Sequence, residues 1–142
     1  MRAILLIDHG SRRAEANAML GRMAALVQGM VGEAAVVRFA HMELARPTID
    51  EGFAACVAAG AREVVAFPYM LSPGRHATSD IPRMVAAAAA RFPGVAFRVT
   101  EAFGVHEKLG EVVLERAGVE RVAIGRARAE RGDIERTGVA PA

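Results

Sequence analysis

Apolar residues follow two alternating patterns along the chain. Short, continuous apolar runs bounded by polar residues are typical of buried strands, and they occur at residues 3–8, 34–40, 63–67 and 95–100. Between and after these runs, apolar residues recur every three or four positions, which predicts amphipathic helices at 14–30, 47–59, 80–91 and 105–117. The order is a strand-helix unit repeated four times. It predicts an α/β fold, with a four-stranded parallel sheet and helices on both faces.

The ends of the helices carry residues that commonly start or stop them. They are Pro47 and Gly60 around the second helix, Ser79 as the N-cap of the third, and Gly118 after the fourth. Beyond this point the chain is rich in Arg, Glu and Gly without a stable period, although residues 119–124 could form a short strand. We therefore expect a single domain at 1–118 and a C-terminal tail at 119–142 that is exposed or lies at a dimer contact.

Composition narrows the classes of protein that fit. A chain of 142 residues with 53% apolar and 24% charged residues fits one globular domain. The single cysteine, Cys56, excludes an intrachain disulfide and argues against a cysteine-based zinc site. Basic residues are scattered, with one Tyr and no Trp, which argues against nucleic-acid binding. No apolar run reaches the ~20 residues of a membrane span, and the apolar run at 3–7 is too short for a signal peptide, so we expect a cytoplasmic protein.

All four histidines follow predicted strands. His9, His41, His76 and His106 come after the first, second, third and fourth strand, and Glu43 lies close behind the second. Because ligands of parallel α/β sheets bind outside the carboxyl ends of the strands, these residues are expected at the ligand-binding edge. Two histidines and one carboxylate from three loops would suit a first-row divalent metal with open coordination positions.

Each of these residues also has a purely structural alternative. His9 could cap the first helix, His76 could be an ordinary exposed loop residue, and Glu43 could form an ion pair with Arg46. The histidines after the second and fourth strands are explained more simply as a packed strand-end residue and a first-turn helix residue. The Gly-Ser-Arg segment at 10–12 lacks the spacing of a nucleotide-binding loop. It is compatible with a further alternative, a phosphate-ester hydrolase that uses His9.

Three motifs resemble the small class II chelatases, the sirohydrochlorin cobaltochelatases and ferrochelatases. They are His-Gly-Ser-Arg at 9–12, Glu-Leu-Ala-Arg-Pro at 43–47, and Pro-Gly-Arg-His at 73–76 with Asp-Ile-Pro at 80–82. The resemblance covers about residues 3–117. It implies a flavodoxin-like, chelatase-type sandwich.

The resemblance also implies an activity. Chelatases of this kind insert a divalent metal (Co²⁺, Fe²⁺ or Ni²⁺) into sirohydrochlorin without ATP, in cobalamin or sirohaem biosynthesis. His9 and His76 carry over as metal ligands and catalytic residues, and Glu43 carries over as a third metal ligand. The metal is then a substrate, no cofactor is permanently bound, and a short form such as this one is expected to pair as a homodimer.

The chemistry of metal insertion fits such a residue set. Insertion expels two pyrrole protons, and histidine titrates in the range needed to accept them. A flat substrate ringed by carboxylates needs apolar walls and cationic rim groups. Candidates are Met70, Leu71 and Phe103 for the walls, and Ser11, Arg12, Arg13 and Arg75 for polar contacts. We expect His9 to be held rigidly and His76 to lie in a loop that moves as substrate enters. The alternative is a non-catalytic metal- or tetrapyrrole-binding protein on the same scaffold.

Overall fold

The structure, a computed structural model, describes residues 1–72 and 74–123 of the chain. Four strands and four helices alternate, as the sequence predicts. They are β1 (Arg2–Asp8), α1 (Ala14–Val31), β2 (Ala35–His41), α2 (Ile49–Ala58), β3 (Glu63–Pro68), α3 (Arg75–Ala89), β4 (Ala96–Val99) and α4 (Glu107–Ala117). Within the described residues, no helix combines the length and apolar character that crossing a bilayer requires.

The sheet is parallel and has the strand order β2-β1-β3-β4. Strand β1 lies in the middle, and its residues Leu5, Leu6 and Ile7 are buried. Its last residues pair with the ends of both neighbours, Asp8 with His41 of β2 and Ile7 with Pro68 of β3. The carboxyl ends of these three strands therefore meet at one edge of the sheet.

The core has two layers, one on each face of the sheet. On one face, Leu5 and Ile7 pack with Phe53 of α2 and Ile81 of α3. On the other face, Leu6 packs with Leu20 of α1 and its neighbours. The prediction of helices on both faces is thus confirmed.

The chain divides into two compact units, one formed by residues 1–104 and one that begins at residue 105. The second unit contains α4, which begins after its N-cap His106 and ends at Gly118, a C-cap in the left-handed conformation. Gly118 therefore closes this helix as predicted. Residues 119–123 form no strand. Residues 124–142 of the predicted tail lie outside the described residues. The last residue of the short strand considered at 119–124 is therefore outside them too.

The prediction that α3 starts at residue 80 with Ser79 as its N-cap is wrong. The helix begins at Arg75, its N-cap is Gly74, and the first turn closes through a hydrogen bond from the Thr78 amide to the Gly74 carbonyl oxygen at 3.0 Å. Pro82 lies inside the helix. Ser79 is a favoured N-cap residue that follows a segment rich in Pro and Gly, and so the sequence places the start too late.

The predicted start of α2 is also corrected. Pro47 precedes the helix rather than opening it, and Thr48 is the N-cap. The Thr48 side chain accepts a hydrogen bond from the Glu51 amide, and the Glu51 side chain accepts one from the Thr48 amide. This reciprocal capping box satisfies two amides that a helix otherwise leaves without partners.

Candidate functional site

A tight turn follows β1 and carries His9. The Asp8 carboxylate, through Oδ1, accepts a hydrogen bond from the Gly10 amide at 2.9 Å. Gly10 has a φ of +85°, and a Cβ built on it would lie 1.8 Å from the Glu43 carbonyl oxygen. Only glycine fits this position, because the turn touches the backbone of the next loop.

The loop after β2 is joined to this turn by backbone hydrogen bonds. The Met42 amide donates to the Asp8 carbonyl oxygen at 2.8 Å, and the Glu43 amide donates to the His9 carbonyl oxygen at 3.0 Å. These bonds continue the β1–β2 pairing beyond the strand ends. The backbones of His9 and Glu43, two of the three expected ligands, are therefore direct neighbours.

The Glu43 loop is closed and locally strained. The His41 amide donates to the Pro47 carbonyl oxygen at 2.8 Å, which ties the two ends of the loop together. Leu44 has a φ of +68°, in the left-handed region that non-glycine residues rarely adopt. Such strain persists where the surrounding structure fixes the backbone, and it is concentrated at functional sites.

Glu43 does not pair with Arg46, which settles one structural alternative. Arg46 instead donates to the carboxylate of Glu51, with Nε–O distances of 3.0 and 3.1 Å. This hydrogen bond is the main cause that lowers the pKa of Glu51 to about 2. Glu43 is exposed, and its carboxylate contacts no cation among the described residues. It is therefore available to a ligand.

Helix α1 fixes the continuation of the first turn. The Ser11 amide donates to the side-chain oxygen of Asn17 at 2.9 Å, and the Asn17 amide group donates back to the Ser11 carbonyl oxygen at 2.7 Å. The Ser11 hydroxyl accepts from the Arg13 amide at 3.0 Å. Ser11 is thus engaged in shaping the turn, whereas Arg12 and Arg13 are exposed. His9 is exposed too, and it does not cap α1, whose N-cap is Arg13.

His41 is a packed strand-end residue, which confirms the structural role that the sequence analysis gives as its simpler explanation. It is 1% exposed, and its Nδ1 lies 2.6 Å from Asp8 Oδ1. Its ring packs edge-on against Phe39, with ring centroids 5.8 Å apart. Sequence reasoning missed both Asp8 and Asn17, and the position of Asp8 as the last residue of a buried strand is the one signal that could have pointed to it.

His76 occupies the second position of α3, not a long loop as expected. The helix starts at the same sheet edge, shortly after β3 ends. Arg75, the first helical residue, is exposed. The side chain of His76 lies outside what the structure describes, so its part in a metal site stays a prediction. Without it, the described side chains include no group of three or more His, Cys, Asp or Glu suited to hold a metal.

His106 belongs to the second unit and has a structural role there. Its Nδ1 accepts a hydrogen bond from the Lys108 amide at 3.1 Å, which caps α4. The sequence placed this residue in the first turn of the helix. His106 precedes that turn by one position, and its Nδ1 is engaged in the capping hydrogen bond.

A cavity of about 410 Å³ opens beside the end of β3. Its lining is largely apolar or small, and comprises Pro68, Leu71, Ser72, Ala77, Thr78, Pro82, residues 99–102 and Gly104. Leu71 therefore lines a cavity, as expected of a wall residue. Met70 instead packs on the core, and Phe103 packs with Phe67 and Tyr69 at centroid distances of 5.0 and 4.9 Å.

Comparison with known proteins agrees with this architecture. Among solved structures, the sirohydrochlorin chelatase SirB from Bacillus subtilis subspecies spizizenii in complex with cobalt superposes with a TM-score of 0.74 at 32% identity. The match covers 82% of this chain and 50% of that one. The chloroplastic sirohydrochlorin ferrochelatase of Arabidopsis thaliana is 43% identical over 113 residues, 80% of this chain and 50% of that protein. The sirohydrochlorin cobaltochelatase of Saccharolobus solfataricus is 30% identical over 122 residues, 82% of this chain and 93% of that protein.

The chain thus spans about half the length of the first two relatives and nearly all of the third. A family model described as CbiX matches residues 3–119, a range that includes the sheet from the second residue of β1 onward and the turns after β1 and β2. The chain therefore belongs to the CbiX family.

Proposed function

We propose that this protein inserts a divalent metal into sirohydrochlorin without ATP. The observation that carries the proposal is the backbone hydrogen bond from Glu43 to His9, which joins a segment that carries an imidazole to a segment that carries a carboxylate at the ligand-binding edge. Relatives named as sirohydrochlorin ferrochelatase and cobaltochelatase support the substrate.

The proposed roles follow from the chemistry of insertion. His9, Glu43 and His76 bind the incoming metal and leave coordination positions open, so that the ion can pass to the macrocycle. His9 and His76 accept the two pyrrole protons, because an imidazole is the side chain that titrates nearest to neutral pH. The metal is a substrate of the reaction, so an incomplete ligand set favours its release.

Substrate binding is proposed at the adjoining surface of the first unit. The cavity beside β3 is apolar enough to cover part of a flat macrocycle. The exposed guanidinium groups of Arg12, Arg13 and Arg75 can reach peripheral carboxylates, with which they form paired hydrogen bonds.

We also propose that two copies of the chain associate in the cytoplasm. Support comes from helix α1, which exposes Met19, Leu26 and Met30 by 61, 57 and 76%. An apolar stripe of this kind is better covered by a partner than left in water. Sedimentation of the purified protein tests this, and a monomer at micromolar concentration contradicts it.

The activity is tested by following the absorption change of sirohydrochlorin with Co²⁺, Fe²⁺ and Ni²⁺. We expect acceleration over the uncatalysed rate with at least one of these metals, loss of activity in His9→Ala and His76→Ala, and a raised KM for metal in Glu43→Ala. His106→Ala is the matched control, because that histidine caps α4. Stoichiometric binding of metal or macrocycle without turnover would refute the proposal and favour a carrier.

A further inference from the structure

His41 is a polar side chain enclosed by the protein interior. It is 1% exposed and, apart from the Cys56 thiol, it is the one buried side chain with a polar or charged group among the described residues. Burying such a group is unfavourable unless it is hydrogen-bonded. An apolar ring would fill the same space without that cost, so packing alone does not explain a histidine here.

The partner of His41 is the carboxylate of Asp8. The two atoms, Nδ1 and Oδ1, lie 2.6 Å apart. A carboxylate only accepts hydrogen bonds, so Nδ1 is the donor. The same Oδ1 accepts the Gly10 amide at 2.9 Å. Asp8 therefore links the end of β2 to the turn that follows β1.

The residues joined by this link flank the two proposed metal ligands. His9 lies between Asp8 and Gly10, and Glu43 lies two residues after His41. The His9 and Glu43 backbones then hydrogen-bond to each other. One carboxylate oxygen thus holds the two ligand-bearing segments in a fixed relation.

We propose that Asp8 and His41 form a positioning pair that sets the separation of His9 and Glu43. This inference rests on the proposed function, since it takes those two residues as metal ligands. Neither member of the pair touches the metal in this arrangement. Groups that orient metal ligands through hydrogen bonds commonly change metal affinity by about 10- to 100-fold when they are removed.

Two substitutions of His41 separate positioning from packing. His41→Asn places an amide N–H near the position of Nδ1 and can still donate to Asp8, but it loses the ring. His41→Phe keeps a ring against Phe39 but cannot donate. The measurements are the Kd for Co²⁺ by titration, and the KM for Co²⁺ and kcat with sirohydrochlorin, on proteins shown to be folded by circular dichroism.

We expect His41→Phe to raise the Kd and KM for Co²⁺ by about tenfold, with a smaller effect on kcat at saturating metal. His41→Asn should stay within about threefold of wild type. A packing role predicts the opposite order, so a nearly wild-type His41→Phe beside an impaired His41→Asn overturns the inference.

Asp8 provides a second test that does not disturb the core, because its side chain is 23% exposed. Asp8→Asn keeps an oxygen that can accept from Gly10 and His41, whereas Asp8→Ala removes it. We expect a weaker Co²⁺ affinity only for Asp8→Ala, with no further loss in the Asp8→Ala/His41→Phe double variant, because residues of one network are not additive.

An unchanged Kd in Asp8→Ala, or additive losses in the double variant, would overturn the pair. The two failures are distinguishable. Absence of turnover in the wild-type protein refutes the proposed function. A wild type that turns over, with unchanged Co²⁺ affinity in both His41→Phe and Asp8→Ala, refutes only the positioning pair.

Discussion

Replacing Gly10 by alanine should disable the site more than it destabilises the fold. The left-handed φ of +85° costs an alanine about 1–2 kcal/mol. The added Cβ would also lie 1.8 Å from the Glu43 carbonyl oxygen, whereas real Cβ atoms stay at least 3.0 Å from such atoms. The two loops must therefore separate by more than 1 Å, which displaces His9 from Glu43.

Gly60→Ala is the matched control. Gly60 has a φ of +100°, but the Cβ that an alanine would add there meets nothing within 4 Å, so this variant carries the backbone cost without the collision. A displacement of about 1 Å at reacting groups can cost about 100-fold in rate. We expect a loss of that order in kcat/KM for Gly10→Ala, with a fall in thermal midpoint only moderately larger than that of Gly60→Ala.

The comparison is made on metallation of sirohydrochlorin, on Co²⁺ affinity and on thermal melts of the three proteins. If Gly10→Ala binds Co²⁺ and turns over as well as Gly60→Ala, contact between the loops does not matter for activity, and a role of Gly10 in the site is refuted.

Three further predictions concern stability and reactivity. Gly52→Ala should lower the free energy of unfolding by about 1–3 kcal/mol, because the added Cβ would lie only 2.8 Å from an atom of the sheet. Gly29→Ala has open space around the added Cβ and should raise the free energy of unfolding by about 0.5–1 kcal/mol. Equal effects of the two variants in chemical denaturation would contradict the packing of α2. Hydrogen bonds, mainly the one from Arg46 and then the one from the Thr48 amide, lower the pKa of Glu51 from 4.5 to about 2. The stability that Glu51 contributes is therefore present above pH 4.5 and is lost as the pH falls toward 2. Thermal melts should show a smaller decline over this range in Glu51→Gln than in wild type. Burial raises the pKa of the Cys56 thiol to about 11. The native protein should therefore resist a thiol reagent at about pH 8, and the protein unfolded in guanidinium should react fully. Rapid labelling of the native protein would contradict the burial of Cys56.

The sequence predicts the eight elements because each follows a strong local rule. Strands covered on both faces read as continuous apolar runs, and the helices that cover them are amphipathic. The predicted start of α2 is wrong because Pro47 is typical of a first helical residue, and that of α3 is wrong because Ser79 is typical of an N-cap. Thr48 and Gly74 are the N-caps, and neither is marked by hydrophobic periodicity.

The candidate site is less visible in the sequence. The sheet topology alone brings His9 and Glu43 to one edge, but their backbone contact depends on the register between β1 and β2, which pairs residues 33 positions apart. No local pattern specifies that Asp8 lies opposite His41. The pairing of Asp8 with His41 follows from the strand register, and the close approach of the two loops follows from the glycine at position 10.

The central place of β1 in the sheet links ligand binding to folding. The turn with His9 and the loop with Glu43 are separate in an unfolded chain and meet only when β1 and β2 are paired in register. Under the proposed function, a metal ion that binds only this assembled edge would stabilise the whole sheet by mass action, by about 2.7 kcal/mol at a concentration 100 times its Kd. Cellular metal supply would then set both the rate of the proposed reaction and the fraction of the protein that is folded.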